Sequence, residues 1–483
     1  AKLVMTGRSQ EKLETFVDAL VSEGFERDRM LPVAADAADP EACRRVVTSA
    51  VERFGPIDAL LNNAGAAGPK MTLENIPFTE AETRETGQNE TMLDAAKNLL
   101  GGAWNMVRAA VPHLAVGASI VNVSTIFSRT PYYGRIPYVV PKSGLNALSL
   151  GLARELGLTD KGIRVNTVFP GPIESERIET VFAAMDKLQE QPAGSTAKMF
   201  KELMILKRPT PPAPAGTQKP TPVATDGGNG SAGAGDEVKF RYPTPTDVAS
   251  TVLWLASKES SAFSGHSFEV TNGMQVPAQS RSKLVSWPDR RLVDLRDKVV
   301  LILAGRNIKE AVAFTEKHRE FGAEVVLAFR DLPSLERARA KMESADARPL
   351  PLILLNPARP ETVERSMQFL EDRYGRLDGV VVLPSTPNPS WGHELSTMTD
   401  EQVDTFLKDE IVSPVAFASS IAKLLRKWTS LDRAPAITFV TNEDDGHDNR
   451  LNEVNRAAIE ELLRVWRFEE EHDVRVGRRP WGC

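Results

Sequence analysis

A tyrosine and a lysine four residues apart, Tyr138 and Lys142, are the clearest pair of side chains that could move a proton. Residues at this spacing share one face of a helix. Reducing a carbonyl requires a proton for its oxygen as hydride reaches its carbon. A phenol has an ordinary pKa of about 10 and donates poorly at neutral pH, but a nearby ammonium stabilises the phenolate. The pair therefore predicts acid–base chemistry on a carbonyl or an alcohol.

Short apolar runs that alternate with longer segments of helical period surround this pair. The alternation predicts an α/β fold with a parallel sheet covered by helices on both faces. The runs in the first half are 2–6, 31–36, 57–65, 119–124, 163–171 and 267–273. Those in the second half are 299–303, 324–329, 350–355, 378–385, 436–441 and 473–477.

The second series of runs predicts a second domain of the same kind. Residues 53–65 and 373–385 are similar at an offset of 320, and the neighbouring runs follow in the same order, which favours duplication over chance similarity of two strand entries. We expect two tandem Rossmann-like, doubly wound domains, at 1–278 and 297–483. Residues 209–236 are rich in Pro, Gly, Ala, Ser and Thr and are predicted to be a disordered-like insertion.

Composition excludes several classes of function. Fifty-nine Lys and Arg stand against 65 Asp and Glu, a formal charge of -6, so no clustered basic surface for nucleic acid is expected. The only two cysteines are far apart, and the six histidines lack metal-ligand spacing, so neither disulfides nor a metal site are expected. No apolar run is long enough to span a bilayer. We expect a soluble cytoplasmic protein.

The setting of the pair resembles the short-chain dehydrogenase/reductase family. A strand ending at Ser124, a turn Asn62-Asn63-Ala64-Gly65 and a segment Phe169-Pro170-Gly171-Pro172-Ile173 flank Tyr138 and Lys142. The resemblance covers nearly all of 1–277. It implies that these elements meet at the C-terminal edge of one doubly wound sheet. It also implies that Tyr138 is the proton donor and that Lys142 additionally holds the nicotinamide ribose.

The resemblance implies two further catalytic residues. Ser124 would hydrogen-bond the substrate oxygen, and Asn98 falls where the family keeps an asparagine that helps a water molecule relay protons. Ser124 stands 14 residues before Tyr138, whereas the family usually shows 13, which would select Thr125; Ser128 is a third candidate. Ser124 is preferred because it terminates the apolar run.

The resemblance also implies a dinucleotide site, and its residues favour NADPH. Arg8 and Ser9, a cation and a hydroxyl, follow the first run and can bind a 2′-phosphate. A carboxylate at this place would repel that phosphate. The alternative is an arginine in an exposed turn with no ligand. Asp36 would face the adenine and Ile173 the carboxamide. The remaining expected cofactor-binding residues are Asn63, Ala64, Gly65, Tyr138, Lys142, Pro170 and Gly171.

The glycine-rich turn that the family uses for the pyrophosphate is missing from the first run. Thr6 and Gly7 are followed by Glu11 and Leu13 where glycines are expected. We therefore expect this chain to begin one β-α unit late, and Gly7 is not assigned to the pyrophosphate.

Residues 119–188 narrow the resemblance to the N-terminal half of bifunctional malonyl-CoA reductases. EVTNGM from Glu269 and LLRVWRFE from Leu462 support it. It implies NADPH-dependent reduction of malonic semialdehyde to 3-hydroxypropionate, beside a downstream half that reduces malonyl-CoA. A homo-oligomer, a dimer, is expected. The alternatives are a 3-oxoacyl thioester reductase and a noncatalytic scaffold for a partner reductase.

An acidic aldehyde requires a cationic clamp, and Arg129 and Arg135 flank the expected catalytic loop. Surface arginines or an intersubunit ion pair would explain them equally well. Residues 176–191 would cover the substrate. In the second half, Asn452 and Arg456 take the places of Tyr138 and Lys142, so this half is expected to be noncatalytic.

Overall fold

The computed structural model describes most of the chain, with gaps. The described residues are 1–65, 68–129, 133–206, 241–274, 295–305, 307–344, 350–357, 359–383, 394–428, 436–441, 450–469 and 475–480. The expected insertion at 209–236 lies outside them. No helix among these residues is long and apolar enough to cross a membrane.

All twelve predicted strands form, and every ladder between them is parallel. The strand at 299–303 is buried throughout, and the strand at 114–123 is buried from residue 118 to its end, because both are covered on both faces. The strands of the first half are β1 (Leu3–Gly7), β2 (Met30–Ala34), β3 (Ile57–Asn62), β4 (Leu114–Val123), β5 (Arg164–Pro170) and β6 (Ser267–Val270). Those of the second half are β7 (Val299–Leu303), β8 (Glu324–Phe329), β9 (Leu352–Leu354), β10 (Gly379–Val382), β11 (Ala436–Thr441) and β12 (Arg475–Pro480).

The two halves differ at the middle of their sheets. The second half has one six-stranded sheet in the order β12-β11-β10-β7-β8-β9, so its first strand lies at the centre. In the first half β3-β4-β5-β6 form one sheet and β1-β2 a separate pair, and no described strand joins β1 to β3. The position that β7 fills in the second half therefore has no described counterpart in the first.

Within the described ranges, fifteen α-helices connect and cover these strands. In the first half they are α1 (Gln10–Ser22), α2 (Pro40–Phe54), α3 (Glu80–Thr86), α4 (Met92–Ala96), α5 (Gly102–Ala110), α6 (Ile136–Gly157), α7 (Glu176–Leu188), α8 (Ser195–Leu203) and α9 (Pro245–Ala256). In the second half they are α10 (Ile308–Glu320), α11 (Leu332–Ser344), α12 (Pro360–Tyr374), α13 (Asp400–Phe406), α14 (Ser413–Trp428) and α15 (Arg450–Glu469). A π-helical segment joins α4 to α5 at Lys97–Gly101, and another joins α13 to α14 at Leu407–Val412.

The two halves pack through these matching elements and share one hydrophobic cluster. Helix α6 lies along α15, and a Cβ added at Gly144 would be 3.6 Å from Val454 Cγ1. The buried Glu155 carboxylate accepts the backbone N–H groups of Leu395 at 2.7 Å and Ser396 at 3.0 Å. Trp104 donates its indole N–H to the Leu395 carbonyl at 2.8 Å. Helix α6, which carries Tyr138 and Lys142, is thus packed against and hydrogen-bonded to the second half.

Candidate active site

The expected site residues lie at one edge because parallel strands end there together. The turn after β3, the segment after β4 and the turn after β5 all follow carboxyl ends of neighbouring strands. Asn62 donates to Asn122 Oδ1 at 2.8 Å, which ties the ends of β3 and β4 together. A Cβ added at Gly65 would lie 3.8 Å from Lys142 Nζ. The structure therefore brings the Asn63-Ala64-Gly65 turn next to the expected catalytic lysine.

Lys142 is a fully enclosed cation in the second turn of α6. Its Nζ donates to the Val123 carbonyl at 2.7 Å, at the end of β4. Burial, together with the positive charge of Arg177, lowers the pKa of Lys142 to about 8. A buried ammonium with a backbone acceptor and no anion is costly, and an anionic partner such as a phenolate would offset that cost.

Tyr138 lies one helical turn before Lys142, and Arg135 covers its ring. The Arg135 guanidinium carbon is 4.6 Å from the ring centroid of Tyr138. The arginine itself is buried at the start of α6. A cation held over an aromatic face is attracted by its quadrupole, so Arg135 fixes the orientation of the tyrosine.

The three candidate hydroxyls make different contacts. Ser124 Oγ donates to Asn146 Oδ1 at 2.6 Å, and Ser128 Oγ donates to the Thr125 carbonyl at 2.7 Å. Thr125 Oγ1 accepts from Phe127 N–H at 3.3 Å, which leaves its own hydrogen for another acceptor. Ser124 must release Asn146 before it can donate to a substrate. Ser128 already donates to a carbonyl, so Thr125 is the stronger alternative to Ser124.

A comparison of single substitutions separates these two hydroxyls. If Ser124 donates to the substrate oxygen, Ser124→Ala lowers kcat about 100-fold while Thr125→Val changes it less than about threefold. The reverse pattern in steady-state kinetics would assign the role to Thr125. Circular dichroism of each variant serves as the folding control.

Asn98 lies in the first π-helical segment and points toward an acidic side chain. Its Nδ2 donates to Glu90 Oε1 at 3.1 Å. Glu90 lines a cavity of about 900 Å³ that runs from Arg8 past the loop at Lys70 to helix α7. This cavity is large enough for a small substrate and part of a dinucleotide. Sequence reasoning did not find Glu90, because nothing in its local pattern distinguishes it from a solvated acid.

The expected cofactor residues border the same edge. Arg8 is exposed and lines the cavity, whereas Ser9 caps α1 by accepting the Lys12 N–H at 3.3 Å. Asp36 accepts the Ala38 N–H at 2.9 Å in the turn after β2. A Cβ at Gly171 would lie 3.2 Å from Thr271 Cγ2, so a larger residue there would require Thr271 to shift. Pro170 ends β5, and Ile173 follows it half-buried.

The two arginines expected to hold the substrate make different contacts in the structure. Arg129 forms an ion pair with Glu269 at 3.4 Å and stacks on Phe169, 4.2 Å from its centroid. These intramolecular contacts account for Arg129 without a ligand. Arg135 instead faces Tyr138. Residues 176–188 of the segment expected to cover the substrate form helix α7, whose Ala184, Lys187 and Leu188 line the cavity.

The second half carries a counterpart of helix α6. Helices α6 and α15 begin 314 residues apart, an offset that places Asn452 and Arg456 at the positions of Tyr138 and Lys142. Neither side chain can replace a phenol as proton donor. Arg306, which follows the first strand of the second half, lies outside the described residues.

Replacing Lys142 with an apolar residue should raise the free energy of unfolding and alter its dependence on pH. Because its folded pKa of about 8 lies below the ordinary 10.5, the unfolded chain holds the proton more tightly, and folding stability rises with pH between these values. Below pH 8 Lys142 is charged in both the folded and the unfolded state, so the full free-energy cost of burying its ammonium remains. We expect Lys142→Met to raise the unfolding free energy at pH 7 by about 2 kcal/mol, after the lost hydrogen bond is subtracted, and to remove this pH dependence.

Denaturant unfolding between pH 7 and 10.5 measures both effects. A Lys142→Met protein that is less stable than the wild type at pH 7 would contradict the assignment of a buried, costly ammonium. Lys258→Met, an exposed lysine, is the matched control and should leave the pH profile unchanged.

Sequence comparisons find a family model and several relatives that each match part of the chain. A family model described as enoyl-(acyl carrier protein) reductase matches residues 1–199. The 3-oxoacyl-[acyl-carrier-protein] reductase FabG of Staphylococcus aureus is 26% identical over 270 residues, 56% of this chain and 85% of that protein. The 1,6-dihydroxycyclohexa-2,4-diene-1-carboxylate dehydrogenase of Pseudomonas putida is 33% identical over 175 residues, 36% of this chain and 58% of that protein.

Structural comparisons cover both halves. The N-domain of a bacterial malonyl-CoA reductase, solved with NADP, is 36% identical, with a TM-score of 0.85 over 99% of this chain and 86% of that one. The C-domain of bacterial malonyl-CoA reductase, also with NADP, gives a TM-score of 0.68 at 17% identity, over 99% of this chain and 87% of that one. The second match shows a shared fold, and the tandem arrangement extends through the whole chain.

Proposed function

Because the chain belongs to the short-chain dehydrogenase/reductase family, we propose that it reduces malonic semialdehyde to 3-hydroxypropionate with NADPH. The observation that carries the proposal is the 36% identity to the N-domain of malonyl-CoA reductase over 99% of this chain. The Tyr138 and Lys142 pair supports it, because an acid and its supporting cation stand together at the strand ends.

The residues at this edge fit a dinucleotide. The Gly65 turn comes close to Lys142, Gly171 admits no Cβ without a shift, and Arg8 offers an exposed guanidinium at the end of β1. Arg8 and Ser9 would hold the 2′-phosphate, Asp36 would face the adenine, and Ile173 would contact the carboxamide. When bound, NADPH supplies the hydride.

The chain's own residues supply the proton and the orientation. Tyr138 donates its hydroxyl proton to the aldehyde oxygen, which becomes the alcohol of the product. The Lys142 ammonium stabilises the phenolate that remains, and Asn98 and Glu90 line a path by which water returns the proton. A hydroxyl at the end of β4 holds the aldehyde oxygen while helix α7 excludes water.

A substrate panel tests the proposal. The full-length protein with NADPH should reduce malonic semialdehyde with a kcat/KM at least 100-fold above that for an acetoacetyl thioester. The 3-oxoacyl reductase alternative, which the FabG relatives favour, predicts the opposite ratio. Turnover of neither substrate would favour the scaffold alternative. Malonyl-CoA itself should not be reduced.

Arg8 should determine the choice of cofactor. We expect Arg8→Ala to weaken NADPH binding about 30-fold and NADH binding less than threefold, because only NADPH presents a 2′-phosphate to the guanidinium. Fluorescence titration of both cofactors measures this. Equal losses for both would assign Arg8 a structural role instead.

A further inference from the structure

Lys70, Arg135 and Arg177 are near enough to influence one another electrostatically, and sequence reasoning identified only Arg135. Lys70 lies in the segment that runs against the start of α6. Met71 N–H donates to the Gly134 carbonyl at 3.0 Å, and a Cβ at Gly68 would be 3.3 Å from the Pro137 carbonyl. The segment is thereby held on both sides of Lys70, whose side chain is half-buried and lines the cavity.

Arg177 is an exposed residue of α7, the helix whose Ala184, Lys187 and Leu188 line the cavity. It stands in the first turn of α7, where the helix macrodipole disfavours a positive charge. The other end of α7 packs on the same loop, since Leu188 fills the space beside Gly134. Within the described parts of the chain, neither Arg177 nor Lys70 makes a hydrogen bond or an ion pair. Helix stability therefore does not explain Arg177.

These cations are close enough to repel one another. Burial lowers the pKa of Lys70, and the charges of Arg135 and Arg177 lower it further. The charge of Arg177 also reaches Lys142. No acidic residue contributes to the shift at either lysine. A bound anion between these groups would replace the repulsion with attraction.

We propose that Lys70 and Arg177, together with Arg135, bind the carboxylate of the substrate and so select acidic aldehydes over neutral ones. This rests on the proposed function. The aldehyde and carboxylate carbons of malonic semialdehyde are separated by two single bonds, about 2.5 Å, so the carboxylate must lie within a few ångströms of the Tyr138 hydroxyl. Arg135, stacked 4.6 Å from the Tyr138 ring centroid, borders this region. Arg177 comes from the helix expected to cover the substrate.

The test compares malonic semialdehyde with propanal, an aldehyde of the same length without a charge. In full-length protein with NADPH, the double variant Lys70→Met/Arg177→Gln should lower the kcat/KM ratio of acid to neutral substrate at least 100-fold, mostly through KM. The kcat/KM for propanal and the NADPH dissociation constant should change less than threefold. Arg177→Lys should retain most of the preference, and Lys258→Met is the matched charge control.

Binding of malonate supplies a readout that does not depend on turnover. Calorimetric titration of malonate into the NADP⁺-saturated wild type should show saturable binding that the double variant loses, with circular dichroism confirming that the variant is folded. Variants that keep the wild-type preference and bind malonate normally would overturn the clamp while leaving the proposed function intact. An equal loss of kcat/KM for both aldehydes, or weaker binding of NADPH, would overturn the clamp as well. A wild type without preference for the acid would instead reject the proposed substrate.

Discussion

Tyr138→Phe should lower kcat for malonic semialdehyde at least 1,000-fold, a barrier increase of about 4 kcal/mol. The substitution removes the proton donor and little else, because phenylalanine keeps the ring that Arg135 covers. NADPH binding and the unfolding free energy should remain close to those of the wild type. Steady-state kinetics and fluorescence titration of the full-length protein measure the two effects.

The matched control for this substitution is Tyr374→Phe in the second half. Tyr374 donates to Glu324 at the protein surface, remote in sequence from the expected catalytic residues. Its loss should leave kcat unchanged. More than a tenth of wild-type activity in Tyr138→Phe would reject Tyr138 as the proton donor, since that loss corresponds to less than about 1.4 kcal/mol.

Separating the two halves should abolish soluble, active protein. Residues 1–278 alone would expose the α6 face that α15 covers, together with Trp104, which packs edge-on against Phe406 at 5.5 Å. Large exposed apolar patches cause aggregation. The buried Glu155 carboxylate would also lose both backbone donors from residues 395 and 396. Size-exclusion chromatography and activity assays of the fragment measure the outcome.

The reciprocal fragment, residues 297–483, should bind no NADPH in calorimetry, because Arg306 and Asn307 follow its first strand where glycines would let the backbone approach a pyrophosphate. Coexpression of both fragments should recover part of the activity if the interface is what the first half lacks. A soluble, fully active 1–278 fragment would contradict a supporting role for the second half, and micromolar NADPH binding by 297–483 would contradict its loss of cofactor.

The strands could be predicted from sequence because buried parallel strands are continuous apolar runs, and each of the twelve runs forms one. The placement of Tyr138 and Lys142 followed from helical spacing and the adjoining strand end. Lys70 and Arg177 were missed because each is an ordinary cation in its local segment. Only the packing of the 68–71 loop and α7 around the start of α6 brings their charges close enough to interact. Arg129 shows the converse, since its position near Tyr138 in sequence does not reveal its Glu269 partner.

The paired helices α6 and α15 also have a consequence for how this protein behaves on dilution. An enzyme whose catalytic helix is supported by a separate subunit loses activity when its concentration falls below the dissociation constant. Here the support is part of the same polypeptide, so its effective concentration is set by the connecting chain and stays constant. Dilution should therefore not remove this support from α6. The supporting half also need not preserve a second catalytic pair, and it carries Asn452 at the position of Tyr138.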